Sequence, residues 1–237
     1  MVVLRMKPRL SKSRAKTGTL PAEERMYREI VEAIMDKNLR PGHKLTEAEL
    51  TDLFGLNRTR VRRVLARLAS ENLVEQRLNR GAFVSRPSVD EARQLYETRR
   101  ILEVGIVRAL AVLSPRPDLG RLRAFVARER RAYAEGHAGL MRLSADFHLL
   151  LAGLLGNRVA LELLKPLVLR SCLIQALYER QPGPPCLVAE HATLIARLTA
   201  RDPDGAERQL QVRFDHIEGG LDLGAAAVRQ DLLRRLA

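Results

Sequence analysis

The chain has 237 residues, room for two domains, and 46% of them are apolar, enough for a packed core. Its 41 lysines and arginines outnumber 28 acids, a net charge of +13 that points to a polyanion, nucleic acid before anionic membrane. Two cysteines without a CxxC pattern read as small buried hydrophobes rather than a disulfide, there is no secretory-type apolar core and no apolar run near the roughly 18 residues of a membrane-spanning helix, and a reducing cytoplasm is the expectation.

The charge is uneven. Up to Ser88 there are 19 basic against 10 acidic residues, a net of +9, and beyond it 22 against 18, a net of +4. The surface that meets a polyanion belongs to the N-terminal third.

Residues 1–20 carry six basic side chains and no acid, the composition of a flexible basic tail. "PAEERMYREIVEAIMDKNL" follows, with Met26, Ile30 and Ile34 at helical spacing behind a proline and two acids. "RPGHKL" reads as a turn. "TEAELTDLFG" opens on a capping box, Thr46 with Glu49, and stops at Gly55. Asn57 then caps "RTRVRRVLARLAS", and "LVEQ" and "AFVS" form a hairpin around "RLNRG". Helix, helix, tight turn, helix, hairpin is the order of a winged helix-turn-helix.

From Gly55 to Leu68 there are five arginines and no acid. At about 100° per residue, Val61, Val64, Leu65, Leu68 and Ala69 share one arc. Thr59 centres the opposite face between Arg62 and Arg63. A helix fits the DNA major groove, and arginine's fork matches guanine O6 and N7, or one phosphate, through two hydrogen bonds.

The segment from Leu39 to Ser85, "LRPGHKLTEAELTDLFGLNRTRVRRVLARLASENLVEQRLNRGAFVS", resembles the DNA-binding domain of the GntR family of bacterial transcription regulators. The resemblance implies that Arg58 and Thr59, Arg62 one turn on, and the wing tip Asn79, Arg80 and Gly81 meet DNA. The sequence departs from the family pattern at Asn57, usually Ser or Thr, at Arg60, usually Pro, and at Arg63, usually Glu. The two added arginines are expected to strengthen the grip on phosphate.

Beyond residue 88 the chain is expected to be all α, a bundle of six or seven helices over 88–237 after a winged domain over 21–87. Ser88 and Glu91 make a second capping box. "SPRPD", "GHAG", "GN", "QPGPP" and "RDPDG" punctuate helical spacing, and Pro166 reads as a kink. The opening at Arg99 and Glu103, "ADFHLLLAGLLGNRVALELL" and "EHATLIARLTARDPDGAERQL" resemble the FCD effector domain of FadR-like GntR regulators.

That resemblance implies a carboxylate and three histidines around a divalent metal, with an arginine gripping a small carboxylate effector. His148 and His191 match two ligand positions. The other two hold Ser144 and Arg213, and Asp146, about 200° from His148 around the helix, cannot substitute. His191 and Arg213 each lie 11 residues from Asp202, level on antiparallel helices. His216 lies about 4.5 Å further along the axis.

The expected effector site is therefore Arg99, Ser144, His148, His191 and Arg213, two guanidiniums with no carboxylate assigned opposite them. No cofactor is required, and a zinc or nickel ion would be absent or held only weakly by His148 and His191, with His216. Arg99 and Glu103 also fit an exposed ion pair, worth only tenths of a kcal/mol. The whole reads as a homodimeric cytoplasmic repressor on the nucleoid, binding an operator and a small anion. Two other classes stay open: a histidine-dependent helical enzyme tethered to DNA, and an architectural DNA binder.

Overall fold

A computed structural model describes residues 21–135, 140–179 and 186–224. The basic 1–20 segment, "GHAG" and "QPGPP" lie outside them. The chain divides into two compact units between Arg86 and Pro87.

The first unit contains α1 (Ala22–Met35), β1 (Lys44–Leu45), α2 (Glu47–Phe54), α3 (Arg58–Ser70), β2 (Val74–Arg77) and β3 (Gly81–Val84). Met26, Ile30 and Ile34 of α1, Leu50 and Phe54 of α2 and Val61, Val64, Leu65 and Leu68 of α3 are all buried, and α3 packs on both α1 and α2. Gly55 ends α2 at φ 64°, a left-handed C-cap that favours glycine, and so makes the tight link into α3. Thr46 accepts from the amide of Glu49, as the capping box requires. The return half differs: the Glu49 carboxylate meets the Thr46 hydroxyl instead of its amide.

The sheet has the order β1-β3-β2 and is antiparallel throughout. The expected hairpin is there. The expected turn at "RPGHKL" also contributes β1, which pairs Lys44 with Phe83 and Leu45 with Ala82. Two residues are too few to show alternation, and only their partner strand makes them a strand.

The second unit contains α4 (Val89–Val112), α5 (Gly120–Ala134), α6 (Leu140–Leu154), α7 (Arg158–Tyr178), α8 (Cys186–Thr199) and α9 (Pro203–Gly219), six helices among the described residues. Ser88 and Glu91 form both halves of the capping box that opens α4. That helix packs on α9, α7, α6 and α8, while α5 packs on α6 and α8. The α7 helix continues through Pro166. Cys172 is buried, and burial pushes its thiol up to about 12, so it stays a small neutral core group. No described helix is long and apolar enough to cross a membrane.

Candidate DNA-binding face and effector site

The α3 helix starts where Asn57 Oδ1 accepts from the Arg60 amide at 3.0 Å. Arg58, Thr59, Arg60, Arg62 and Arg63 are all exposed, on the side away from the buried valines and leucines. Acids from neighbouring helix starts relieve the self-repulsion of this face. Glu23 of α1 lies 3.2 Å from Arg60 and 3.3 Å from Arg63. Glu47 of α2 accepts from Arg62 Nε through both oxygens, at 2.8 and 3.0 Å. Arg67 is different in kind. It lies 3.6 Å over the Tyr27 ring and donates to Glu24 at 2.7 Å, a tie between α1 and α3. Arg58 and Arg80 have no ion-pair partner among the described residues.

At the wing, Arg77 pairs with Gly81 across the hairpin and leaves a three-residue tip. Asn79 at φ 58° and Gly81 at φ 93° take the left-handed backbone that this tip needs. Asn79, Arg80 and Gly81 are exposed, and Leu78 beside them is 90% exposed.

In the helical unit, charged groups meet inside the core. Arg99 and Glu103 fall on the inward stripe of α4, with Ala92, Tyr96, Val107 and Leu110, and both are almost fully buried. The surface-pair alternative is thus overturned. Arg99 Nε donates to Glu103 at 2.7 Å and its Nη1 to Ser171 Oγ of α7 at 2.8 Å. The other Glu103 oxygen lies 2.5 Å from His148 Nδ1 on α6.

Arg213 of α9 is 2% exposed. Its Nε donates to His148 Nε2 at 3.0 Å, Nη2 to Ser144 Oγ at 2.6 Å and Nη1 to Glu190 Oε2 of α8 at 3.2 Å. Because the guanidinium only donates, His148 Nε2 accepts, so Nδ1 carries the proton towards Glu103. His191 Nδ1 lies 2.7 Å from Glu129 of α5, and its ring stacks on Phe147 at 3.7 Å. Its Nε2 is buried and has no hydrogen-bond partner among the described residues. His216 stays half exposed and meets the other Glu190 oxygen.

The electrostatics follow from burial set against partners. Burial alone would raise Glu103, but Arg99 and then His148 outweigh it and hold the carboxyl at about 2. Burial takes His148 down to about 4 despite Glu103. Burial, then Arg213 and His148, takes His191 well below the usual histidine range. Burial raises Glu129 to about 7 against the pull of Arg213.

The FCD domain model matches residues 94–216 and that of the bacterial regulatory proteins of the gntR family matches residues 22–84. The chain belongs to the GntR family, in the branch with an FCD domain.

Among curated proteins, this GntR regulator is 25% identical over 203 residues to the HTH-type transcriptional repressor RspR of Escherichia coli, covering 84% of this chain and 88% of that one. It is 26% identical over 211 residues to the regulator LutR of Bacillus subtilis, covering 78% and 94%. A GntR regulator from a Rhodococcus species superposes with a TM-score of 0.73 at 24% identity, covering 83% of this chain and 95% of that one. Escherichia coli McbR/YncC gives 0.72 at 19%, covering 90% and 100%. Those two share the fold. The protein is thus a DNA-binding transcription regulator with an FCD effector domain, and the enzyme alternative falls.

The four FCD ligand positions of this regulator do not fit a divalent ion. Arg213 occupies the ligating face of His148 and holds Ser144, and Glu190 intercepts His216. Among the described residues no group of three or more His, Cys, Asp and Glu side chains is arranged for a metal. Each histidine nonetheless keeps an outer carboxylate on Nδ1, the support typical of metal-bound imidazoles.

The expectation of two guanidiniums facing no carboxylate is corrected. Glu103, Glu190 and Glu129 are all there, each nearly fully buried. Glu190 directly precedes His191, and Glu129 continues the buried face of Leu122 and Val126, one turn along α5. That spacing was the available signal, and the arginines around Glu129 in "ARERRAYA" disguised it as a solvated face.

Proposed function

We propose that this regulator is a repressor that binds a two-half-site operator as a homodimer. A small anionic metabolite, a carboxylate, bound within the helical unit would control its affinity. The reading rests on one observation above all: Arg213, Arg99, His148 and His191 meet in one buried, donor-rich cluster inside the effector domain. A buried guanidinium with two donors on one side suits a carboxylate through charge-assisted bonds. Metal plays no part in this grip.

At the operator, Arg58, Thr59 and Arg62 would read base edges and Arg60 and Arg63 would hold phosphate, with Asn79, Arg80 and Gly81 on the flanking groove. Asn57 shapes the start of the helix. A two-fold dimer meets two half-sites about one helical turn apart. Ile101 on α4 and Val159 and Leu163 on α7 are exposed apolar side chains that a second copy would cover. The name of RspR, a repressor, supports the direction of control.

Sequencing the genomic DNA that co-purifies with the protein yields the operator, and gel-shift titration with a panel of carboxylates then tests release. One enriched palindrome released by a carboxylate supports the reading. Binding without sequence preference, or no release by any acid, contradicts it.

A further inference from the structure

Among the described residues the charges around the two guanidiniums balance. Arg99 and Arg213 are two cations, Glu103 and Glu190 are two anions paired with them at 2.7 and 3.2 Å, and Glu129, which lies on His191, is raised by burial towards its neutral form. An additional carboxylate would leave one buried negative charge without a partner, an expensive state in a low-dielectric interior. An anion therefore enters this cluster at low cost only by exchanging with one of the two glutamates.

The two glutamates are not equivalent. Glu103 is 1% exposed and locked by Arg99 on one oxygen and His148 on the other. Glu190 has one oxygen on Arg213 and the other on His216, a ring whose side chain is 51% exposed. Glu190 thus has a path towards solvent with a partner already on it, and Glu103 has none.

We propose, building on the carboxylate-effector reading above, that Glu190 is a built-in stand-in for the effector. The incoming carboxylate takes its place on Arg213 and Glu190 moves out with His216. One carboxylate replaces another on the same guanidinium, so the buried charge is unchanged. The Ser144 hydroxyl and His148 also hold the guanidinium during the exchange, and His191 Nε2, a buried ring nitrogen with no hydrogen-bond partner among the described residues, is a further polar contact for the ligand. Glu190 on α8 and His216 on α9 would shift together, so exchange at Arg213 becomes a movement of two helices.

The test uses acetate as the probe on the full-length protein in chelator, with chloride at equal ionic strength as the control. Glu190→Gln removes the competing charge and keeps the shape. Because an occupied site lowers apparent affinity by the fraction that is free, acetate should bind this variant at least about tenfold tighter than the unaltered protein. Glu190→Ala opens the place itself, and acetate but not chloride should restore its lowered melting temperature or, if it folds poorly, its folded yield. Acetate binding to Glu190→Gln no tighter than to the unaltered protein, or equal rescue of Glu190→Ala by chloride, overturns the proposal. Tighter acetate binding with no change at the operator supports the exchange and overturns the effector reading beneath it.

Discussion

Glu103 is held by two basic side chains at once, Arg99 Nε at 2.7 Å on one oxygen and His148 Nδ1 at 2.5 Å on the other. This carboxylate joins α4 to α6, and through Arg99 and Ser171 to α7. Removing one member leaves a buried charge without its partner. Arg99→Ala should therefore destabilise the helical unit by about 3–5 kcal/mol. Arg99→Met together with Glu103→Leu should lose much less, because no lone charge remains. Urea unfolding of both variants checks this, and equal losses would show that the pair itself holds the helices together.

Stability should fall as the pH is lowered. His148 stays neutral in the fold until about 4, whereas in the unfolded chain it takes up a proton near 6.5. Its contribution is therefore lost as pH drops through that window, and His191 acts in the same direction. Glu129 has the opposite sign: raised to about 7, it gains a proton in the fold before the unfolded chain does. Two histidines against one carboxylate leave a net loss of stability as the pH falls below about 6.5. Below 4.5, Glu103, held at about 2, continues the loss. Calorimetry at pH 7, 5.5 and 4 should show melting temperatures falling in that order, and a flat profile would contradict the assignment.

On DNA, Arg62→Ala should weaken the operator complex by about 1–3 kcal/mol and leave random duplex nearly untouched. Arg60→Ala should weaken both and flatten the salt dependence. Glu23→Gln gives the reverse of Arg60→Ala, because Glu23 lies on both Arg60 and Arg63 in the free protein. It should tighten random-duplex binding. Titrations of the three variants at two salt concentrations separate these roles, and uniform small losses for Arg62→Ala would remove it from the base-reading set.

The homodimer is tested at α4. Ile101 is 73% exposed, so an aspartate there costs the monomer little. Sedimentation velocity at micromolar concentration should give a dimer for the unaltered protein and a shift towards monomer for Ile101→Asp. An unaltered monomer would move the two-half-site reading elsewhere.

Much of this architecture is legible in the residues because the signals are local. Asn57, Gly55 and Ser88 mark helix ends through bonds to their own neighbours, and the valine and leucine stripe of α3 follows from helical period alone. The Leu39–Ser85 and FCD motifs added the site positions, and Ser144, His148 and Arg213 do meet through hydrogen bonds. Glu129 and Glu190 were missed because their roles arise between helices distant in sequence. Glu129 touches His191 across 62 positions and Glu190 touches Arg213 across 23. β1 was missed for the same reason, being a strand only through β3.

The most direct test of the account is fluorescence anisotropy with the recovered operator duplex, in chelator, with and without the carboxylate that releases it in the gel-shift panel. The unaltered protein should lose at least about tenfold in operator affinity when the carboxylate saturates, a coupling of about 1.4 kcal/mol. Arg213→Met, whatever its operator affinity in the absence of acid, should show no further loss when the acid is added. Release that persists in Arg213→Met, or that disappears in chelator and returns with a divalent ion, would contradict the central claim that a buried guanidinium grips the effector directly.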